Sequence, residues 1–172
     1  MKQKIEANIF NLYDSENGAF FAATDDCRQI DIWGNAYMLY IGFPAKQTYR
    51  NVLQYLHNHA DEYIFKGQIR HLLKGQYWNR MLIDVSKETY QNGAYWATAT
   101  GWVAWCLYQI DKELGTKVLK DAITYLIHEG SFECVNDGYQ KLPSFVVSAT
   151  NVLGGLERMI REDRSALPYF NA

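Results

Sequence analysis

Apolar residues recur every three or four positions along most of the chain, which is the period of an α-helix. From Asp31 the apolar positions cover most sides of one predicted helix, and this pattern returns after Gly93 and from about 145 to 162. Two stretches with a single apolar stripe lie between them, at about 46–60 and 117–128. A helix that is apolar on most sides is buried, whereas a single stripe is typical of a surface helix. The order therefore predicts buried helices that alternate with surface helices.

Turns and short hairpins separate the predicted helices. An Asn-Gly pair predicts a hairpin over 10–23, and short apolar runs in 63–73 predict a second one. Gly115 is expected to end the second buried helix. The segment 131–143 is rich in polar residues and predicts a loop.

Together these patterns predict an all-α fold of helical hairpins, about half of an α/α toroid with short β-hairpin excursions. Residues 1–172 are expected to form one domain, with a polar tail from about residue 163. Gly154 and Gly155 lie inside the last predicted helix, where each costs about 1 kcal/mol relative to Ala, so their predicted use is close approach of another helix. A stack of three hairpins has two exposed ends, which we expect a second copy, another chain or the missing half of a longer protein to cover.

Charge and cysteine content narrow the classes of function. Lys plus Arg number 17 and Asp plus Glu 19, a net charge of −2, so nucleic acid is not an expected partner. The polar, charged start and the lack of a long apolar run predict a cytoplasmic protein without a membrane partner. Cys27, Cys106 and Cys134 form no CxxC pair, and His57 and His59 lack zinc-pair spacing, so no metal or other cofactor is expected.

Aromatic residues make up 15% of the chain, more than a core of this size usually needs. Such a surplus is typical of a site that stacks on flat ligands, of which carbohydrates are the commonest uncharged class. Acids, amides and aromatic rings cluster in 31–35, 90–96 and 132–139, each just before or at the start of a buried helix. Because all buried helices of such a repeat start at the same end, these segments are expected to surround one carbohydrate-binding hollow.

The segment 90–96, Tyr-Gln-Asn-Gly-Ala-Tyr-Trp, resembles the Tyr-Gln-Asn-Gly-x-x-Trp segment of the six-hairpin glycosidases. That superfamily includes glycogen-debranching, trehalase-like and processing α-glucosidase enzymes. Residues 132–138 are similar to a later Glu-containing loop of those enzymes, and 31–36 are similar to the start of an inner helix. The resemblance covers about 10–160, as the carboxyl-terminal half of an (α/α)6 toroid.

The resemblance implies a hydrolase acting on glycosyl bonds with inversion, in which Glu133 is the general base. The residues expected to bind the carbohydrate are Asp31, Trp33, Tyr90, Gln91, Asn92, Trp96 and Tyr139. Six hairpins need about twice the 172 residues present, so the general acid, usually an Asp, is expected in a half that this chain lacks. The alternatives are a non-catalytic carbohydrate-binding or assembly domain, and an epimerase or polysaccharide lyase with a His or Tyr base, for which His71 is the one nearby His.

Each candidate acid also has a structural explanation. Asp31 would cap the helix that follows it. Glu133 would be a solvated loop carboxylate or an ion-pair partner. Asp137 is the alternative catalytic carboxylate, or it forms a turn with Gly138.

The amide, aromatic and basic candidates have structural explanations as well. Aromatic residues at helical spacing usually fill cores, which applies to Trp33 and Trp96, whereas Tyr90 and Tyr139 lie in loops. Gln91 and Asn92 precede a glycine and would form a turn. Arg70 and His71 would reach the same hollow from the hairpin at 63–73, or they would be structural groups.

Overall fold

The parts of the chain that the computed structural model describes, residues 2–43 and 46–163, contain seven α-helices and three small β-hairpins. The helices are Lys2–Asn8 (α1), Ile32–Tyr40 (α2), Lys46–Asn58 (α3), Ala60–Tyr63 (α4), Thr100–Tyr108 (α5), Lys112–His128 (α6) and Val146–Glu162 (α7). The antiparallel hairpins pair Tyr13–Asp14 (β1) with Ala19–Phe20 (β2), Ile64–Phe65 (β3) with Gln68–Ile69 (β4), and Phe132–Asn136 (β5) with Tyr139–Pro143 (β6). Short 3-10 helices span Ile9–Leu12 and Ala97–Ala99.

Helix α5 lies at the centre of the helical layer. Eight of its nine residues are buried, and it packs against α2, α3, α6 and α7. A helix with apolar residues on all sides avoids water only when other elements surround it. The neighbouring α3 has a single apolar face, from which Val52, Leu53 and Leu56 enter the core.

Helices α2, α5 and α7 run parallel to one another. Near the start of α2, Trp33 contacts Trp102, and at the end of α2, Tyr40 contacts Trp105, which lies one turn further along α5. Along α5 and α7, the Trp105 indole donates to the Glu162 carboxylate at 2.7 Å near both ends. The three helices therefore begin at the same end of the molecule, and the segments that precede them share that end.

The contact between α5 and α7 depends on two glycines. A Cβ atom added at Gly155 would overlap the backbone of Gly101, and one added at Gly101 would overlap the Asn151 carbonyl. The prediction that Gly155 serves close helix approach is confirmed. Gly154, by contrast, has nothing within 4 Å of an added Cβ, so the same prediction is wrong for Gly154.

The prediction of an all-α toroid is wrong, because three antiparallel hairpins accompany the helices and give a small domain that mixes α and β structure. The largest departure is 131–143, which forms the β5–β6 hairpin instead of a loop. Asn136 pairs with Tyr139, which leaves Asp137 and Gly138 as the two-residue turn. Gly138 has φ +70°, a left-handed conformation that glycine adopts without steric cost at the second position of a tight turn. Many of the other residues of this segment are polar, which is why the sequence pattern predicted a loop.

The boundary between α5 and α6 also differs from the prediction. Asp111 caps α6, since its carboxylate accepts a hydrogen bond from the Leu114 backbone N–H at 2.9 Å. Gly115 therefore lies inside α6 and does not end the preceding helix. A Cβ at this position would collide with the backbone of Tyr108, so the glycine permits α6 to turn back closely along α5.

Other local predictions are confirmed. The hairpins β1–β2 and β3–β4 lie within 10–23 and 63–73, and Asp31 caps α2. Apart from Asp163, the predicted polar tail lies outside the described residues. Within 2–43 and 46–163, no helix combines the length and the apolar character needed to cross a membrane.

Candidate functional site

Asp31, at the start of α2, forms the first part of the candidate site. Its carboxylate accepts hydrogen bonds from the backbone N–H groups of Trp33 at 3.2 Å and Gly34 at 3.1 Å. The same carboxylate lies 3.0 Å from Nδ1 of His71, which follows β4. The His71 carbonyl in turn accepts from the Ile32 N–H at 2.8 Å. These bonds hold the start of α2 against the end of the β3–β4 hairpin.

Five aromatic side chains form one contiguous set, which we call the aromatic cluster: Tyr37, Trp102, Trp33, Trp96 and Tyr90. Successive ring centroids lie 4.8, 6.5, 5.6 and 5.1 Å apart in that order, within the range of favourable aromatic contacts. Tyr37 is 46% exposed, whereas Trp96 is only 5% exposed. The cluster therefore continues from the core to the surface.

Trp33 lies in the middle of the cluster and is held on several sides. Its ring stacks on the His71 imidazole at 3.9 Å with an interplanar angle of 23°. Its indole N–H donates to the Ile69 carbonyl at 3.2 Å. Because His71 covers one face, Trp33 has at most one ring face to offer to a ligand.

Glu133 reaches the same region from β5. Its carboxylate lies 3.9 Å from the Lys141 ammonium on β6, and that ammonium lies 3.6 Å above the centre of the Tyr90 ring. The Glu133 side chain is 14% exposed. Lys141 thus connects the acid to a terminal ring of the aromatic cluster.

A network of polar side chains connects the segments that carry Tyr90 and Glu133. Arg70, only 1% exposed, donates from Nη1 to the Glu88 carboxylate at 3.1 Å and from Nη2 to the Gln76 carbonyl at 3.0 Å. Glu88 also accepts from the Asn136 amide on β5 at 2.8 Å and from the Tyr77 hydroxyl. The network joins β4, the irregular segment before Tyr90 and the strand that carries Glu133.

Electrostatics of this network favour an ionised Glu88. Partial burial alone would raise the pKa of the Glu88 carboxyl, but hydrogen bonds from Tyr77 and Asn136 and the charge of Arg70 outweigh it and lower the pKa. The hydrogen bond to Glu88 is the main cause of the raised pKa of Tyr77, which therefore stays protonated. Both effects stabilise the state in which Glu88 is ionised and Tyr77 is protonated.

Cys134 lies beneath the aromatic cluster, beside Trp96 and Tyr139. Burial raises the pKa of its thiol to about 11. A neutral thiol is a poor nucleophile, so covalent catalysis through Cys134 has no support in the structure. Burial is also the main cause of the raised pKa of Tyr139.

The structure brings most of the predicted site residues together. Asp31, Trp33, Trp96, Tyr90, Tyr139 and Glu133 all belong to this connected region. Asn92 also lies there, but its amide is occupied: it accepts from the Trp78 N–H at 3.1 Å and donates to the Val85 carbonyl at 2.9 Å. Gln91 is exposed, and its carbonyl accepts from the Trp78 indole at 2.9 Å. Asp137 is at the exposed tip of the β5–β6 turn.

Sequence reasoning missed Glu88 as part of the site and treated Arg70 as a marginal candidate. No local pattern marks Glu88, because its partners lie 11, 18 and 48 residues away. The sequence contains one indication of this network. Arg70 directly follows the short apolar hairpin that ends at Ile69, and a charged residue in apolar surroundings requires a partner. Within the described parts of the chain, no group of three His, Cys, Asp or Glu side chains could hold a metal ion.

Comparison of the chain with protein-family models, with curated proteins and with solved structures gives no match. The function must therefore be inferred from the chemistry of the site.

Proposed function

We propose that the aromatic cluster binds a carbohydrate and that Glu133 activates a water molecule for hydrolysis of a glycosidic bond with inversion. The observation that carries this proposal is the unbroken contact from Asp31 through the aromatic cluster to Lys141 and Glu133. Aromatic rings bind the C–H faces of sugars, and carboxylates and ammonium groups bind their hydroxyls.

Glu133 has the environment that a general base requires. The nearby Lys141 ammonium provides a positive charge that orients the Glu133 carboxylate. Residual exposure of 14% leaves room for contact with water. No comparable role suits Glu88, whose carboxylate is occupied by Arg70, Asn136 and Tyr77.

Inverting hydrolysis also requires a general acid about 6.5–9.5 Å from the base. Asp31 is unsuited to this role, because its oxygens accept from two backbone N–H groups and face His71. A protonated carboxyl accepts fewer hydrogen bonds than a carboxylate does, so protonation would weaken this arrangement. We therefore assign the acid to a carboxyl group supplied by a polypeptide outside the described residues.

The carboxylates of Asp31 and Glu88 are both occupied by hydrogen bonds within the protein. This favours a second candidate function, carbohydrate binding without hydrolysis. In that case the aromatic cluster alone supplies affinity, and Glu133 serves only as a hydrogen-bond acceptor. The two functions are distinguished by a substrate whose leaving group departs without a general acid. Hydrolysis predicts that the protein cleaves such a substrate, and binding alone predicts that it does not.

Glycosyl fluorides provide that test, because fluoride leaves without being protonated by an enzyme acid. The protein is incubated with a panel of α- and β-glycosyl fluorides, and NMR follows fluoride release and the anomer of the sugar formed. The proposal predicts release with inversion, and loss of at least about 100-fold in rate in Glu133→Gln. Glu157→Gln, an exposed position on α7, is the matched control and is expected to retain full rate.

Binding is measured separately by calorimetry with the unactivated α-glycosides methyl α-glucoside, maltose, maltotriose and trehalose. Binding without fluoride release would support the second function and remove Glu133 from the role of base. Absence of both binding and release would contradict both functions.

A further inference from the structure

The imidazole of His71 has one nitrogen engaged and one unused. Nδ1 lies 3.0 Å from the Asp31 carboxylate, and the ring stacks on Trp33 at 3.9 Å. Nε2 is shielded from solvent and has no hydrogen-bond partner within residues 2–43 and 46–163. A shielded polar atom without a partner is rare in folded proteins, because it loses its bonds to water without replacement.

The hydrogen bonds of Asp31 define which nitrogen carries the proton. An ionised carboxylate only accepts hydrogen bonds, and this one already accepts from the N–H groups of Trp33 and Gly34. Nδ1 of His71 must therefore donate to Asp31. In the neutral ring Nε2 is then an unprotonated acceptor, a tautomer that follows from the hydrogen-bond network.

We propose that His71 is a ligand-binding residue whose Nε2 accepts a hydrogen bond from a hydroxyl of the carbohydrate at the aromatic cluster. This inference extends the proposed function and depends on it. A sugar hydroxyl supplies the donor that Nε2 lacks, and Asp31 and Trp33 hold the ring in one orientation. Ligand affinity then comes partly from satisfying an atom that is unsatisfied in the protein alone.

The approach of a hydroxyl requires a small movement of the side chains around Nε2. Trp78 is one of these neighbours: its ring centroid is 5.8 Å from that of His71, and it belongs to an irregular segment. Two hydrogen bonds anchor Trp78, from its backbone to Asn92 and from its indole to the Gln91 carbonyl. Both partners lie in the 90–96 segment that also carries Tyr90 and Trp96.

Two substitutions separate a ligand contact from a purely structural role. In His71→Asn the side-chain amide retains a donor near the position of Nδ1 and loses the group at Nε2. In His71→Gln the longer side chain retains a polar group near Nε2 and gives up the donor to Asp31. A contact through Nε2 predicts that Asn weakens binding and Gln preserves part of it, whereas a structural role through Asp31 predicts the reverse.

The chain contains a matched control for these variants. His57 faces Asp111 at 3.6 Å, Asp111 caps α6 as Asp31 caps α2, and Nδ1 of His57 is likewise shielded without a partner. The His57–Asp111 pair joins the end of α3 to the start of α6, and neither residue belongs to the aromatic cluster. His57→Asn and His57→Gln therefore report the general effect of replacing such a histidine.

The experiment is a calorimetric titration of each folded variant with the best-bound sugar among methyl α-glucoside, maltose, maltotriose and trehalose. We expect about tenfold weaker binding in His71→Asn, a smaller loss in His71→Gln, and unchanged binding in both His57 variants. Affinity equal to wild type in His71→Asn would overturn the inference while leaving the proposed function intact. Failure of the wild-type protein to bind any of the four sugars would overturn the inference, and the proposed function falls with it when fluoride release is absent as well.

A measurement on the wild-type protein covers the case in which the His71 variants do not fold. Nitrogen-15 NMR of the imidazole at pH 8.5 is expected to show a protonated Nδ1 and a bare Nε2, and the Nε2 resonance is expected to shift when the sugar is added. A neutral ring protonated at Nε2, or an Nε2 resonance that the bound sugar leaves unmoved, would overturn the inference.

Discussion

Arg70 and Glu88 form an ion pair that joins segments 18 residues apart, with Nη1 of the buried guanidinium 3.1 Å from the carboxylate. Through Asn136 the pair connects the segment before Tyr90 to the strand that carries Glu133. These residues therefore help to set the separation of Tyr90 and Glu133.

Loss of the Glu88 charge is expected to destabilise the protein. In Glu88→Gln the buried Arg70 loses its carboxylate partner, and an uncompensated buried charge is costly. Because the Glu88 side chain is 46% exposed, water offsets part of this cost, and we expect a loss of about 2 kcal/mol in the free energy of unfolding. Urea denaturation measures it.

Asp26→Asn provides the control for that substitution. Asp26 faces Arg80 in an ion pair whose two side chains are 52% and 61% exposed. An exposed pair contributes at most about 1 kcal/mol, so this variant is expected to unfold close to wild type. Equal stability losses in the two variants would show that burial of Arg70 is not the cause.

The Glu88 network also predicts how stability depends on pH. The pKa of Glu88 is lowered in the folded protein, so the unfolded chain takes up this proton at a higher pH than the folded protein does. The stabilisation is fully present above the unfolded pKa of about 4.3 and is lost as the pH falls through the folded value. We expect the difference in unfolding free energy between wild type and Glu88→Gln to be constant from about pH 5 to 7 and to shrink below about pH 4.3.

Glu162 and Asp111 also have lowered pKa values, so acid destabilises the variant too, and only the difference isolates Glu88. Urea denaturation of both proteins at each pH gives this difference. A difference that grows on acidification would contradict the assignment.

The neighbouring glycines of α7 are expected to respond in opposite directions to the same substitution. In Gly155→Ala the new methyl group overlaps the Gly101 backbone and forces α5 and α7 apart, for which we expect a loss of about 2–3 kcal/mol. In Gly154→Ala the methyl group meets nothing within 4 Å, and the higher helix propensity of Ala is expected to stabilise the protein by about 0.5–1 kcal/mol.

Thermal unfolding followed by circular dichroism compares the two variants. If Gly155→Ala were as stable as Gly154→Ala, the close contact between α5 and α7 would not exist.

Tyr37 provides a test of the aromatic cluster as the carbohydrate surface. It is 46% exposed and its ring lies 4.8 Å from that of Trp102, so removing it leaves the core intact. Tyr37→Ala is expected to weaken maltotriose binding about three- to tenfold, whereas Tyr37→Phe retains the ring and most of the affinity. Calorimetry measures both, and unchanged affinity in Tyr37→Ala would exclude this end of the cluster from the binding surface.

Local sequence signals determined several elements correctly, because their physical causes lie within a few residues. The apolar stripe of α3 and the cap at Asp31 are both of this kind. The Asp-Gly turn of the β5–β6 hairpin was equally local, but the polar residues around it favoured a loop. The prediction for Gly115 was wrong because the backbone of α5 leaves no room for a side chain there, and no local pattern reveals that contact.

By itself the sequence determined where α2, α3 and α7 begin and which residue types gather in three segments. The starts predicted for α5, just after Gly93, and for α6, at about 117, were wrong, because these helices begin at Thr100 and Lys112. The tertiary structure decided how those segments meet: it brought His71 to Asp31 across 40 residues and Asn136 to Glu88 across 48. The reason is physical, because periodicity and capping are short-range effects. Pairing of buried polar groups, in contrast, depends on which distant donors and acceptors the packed helices and hairpins bring together.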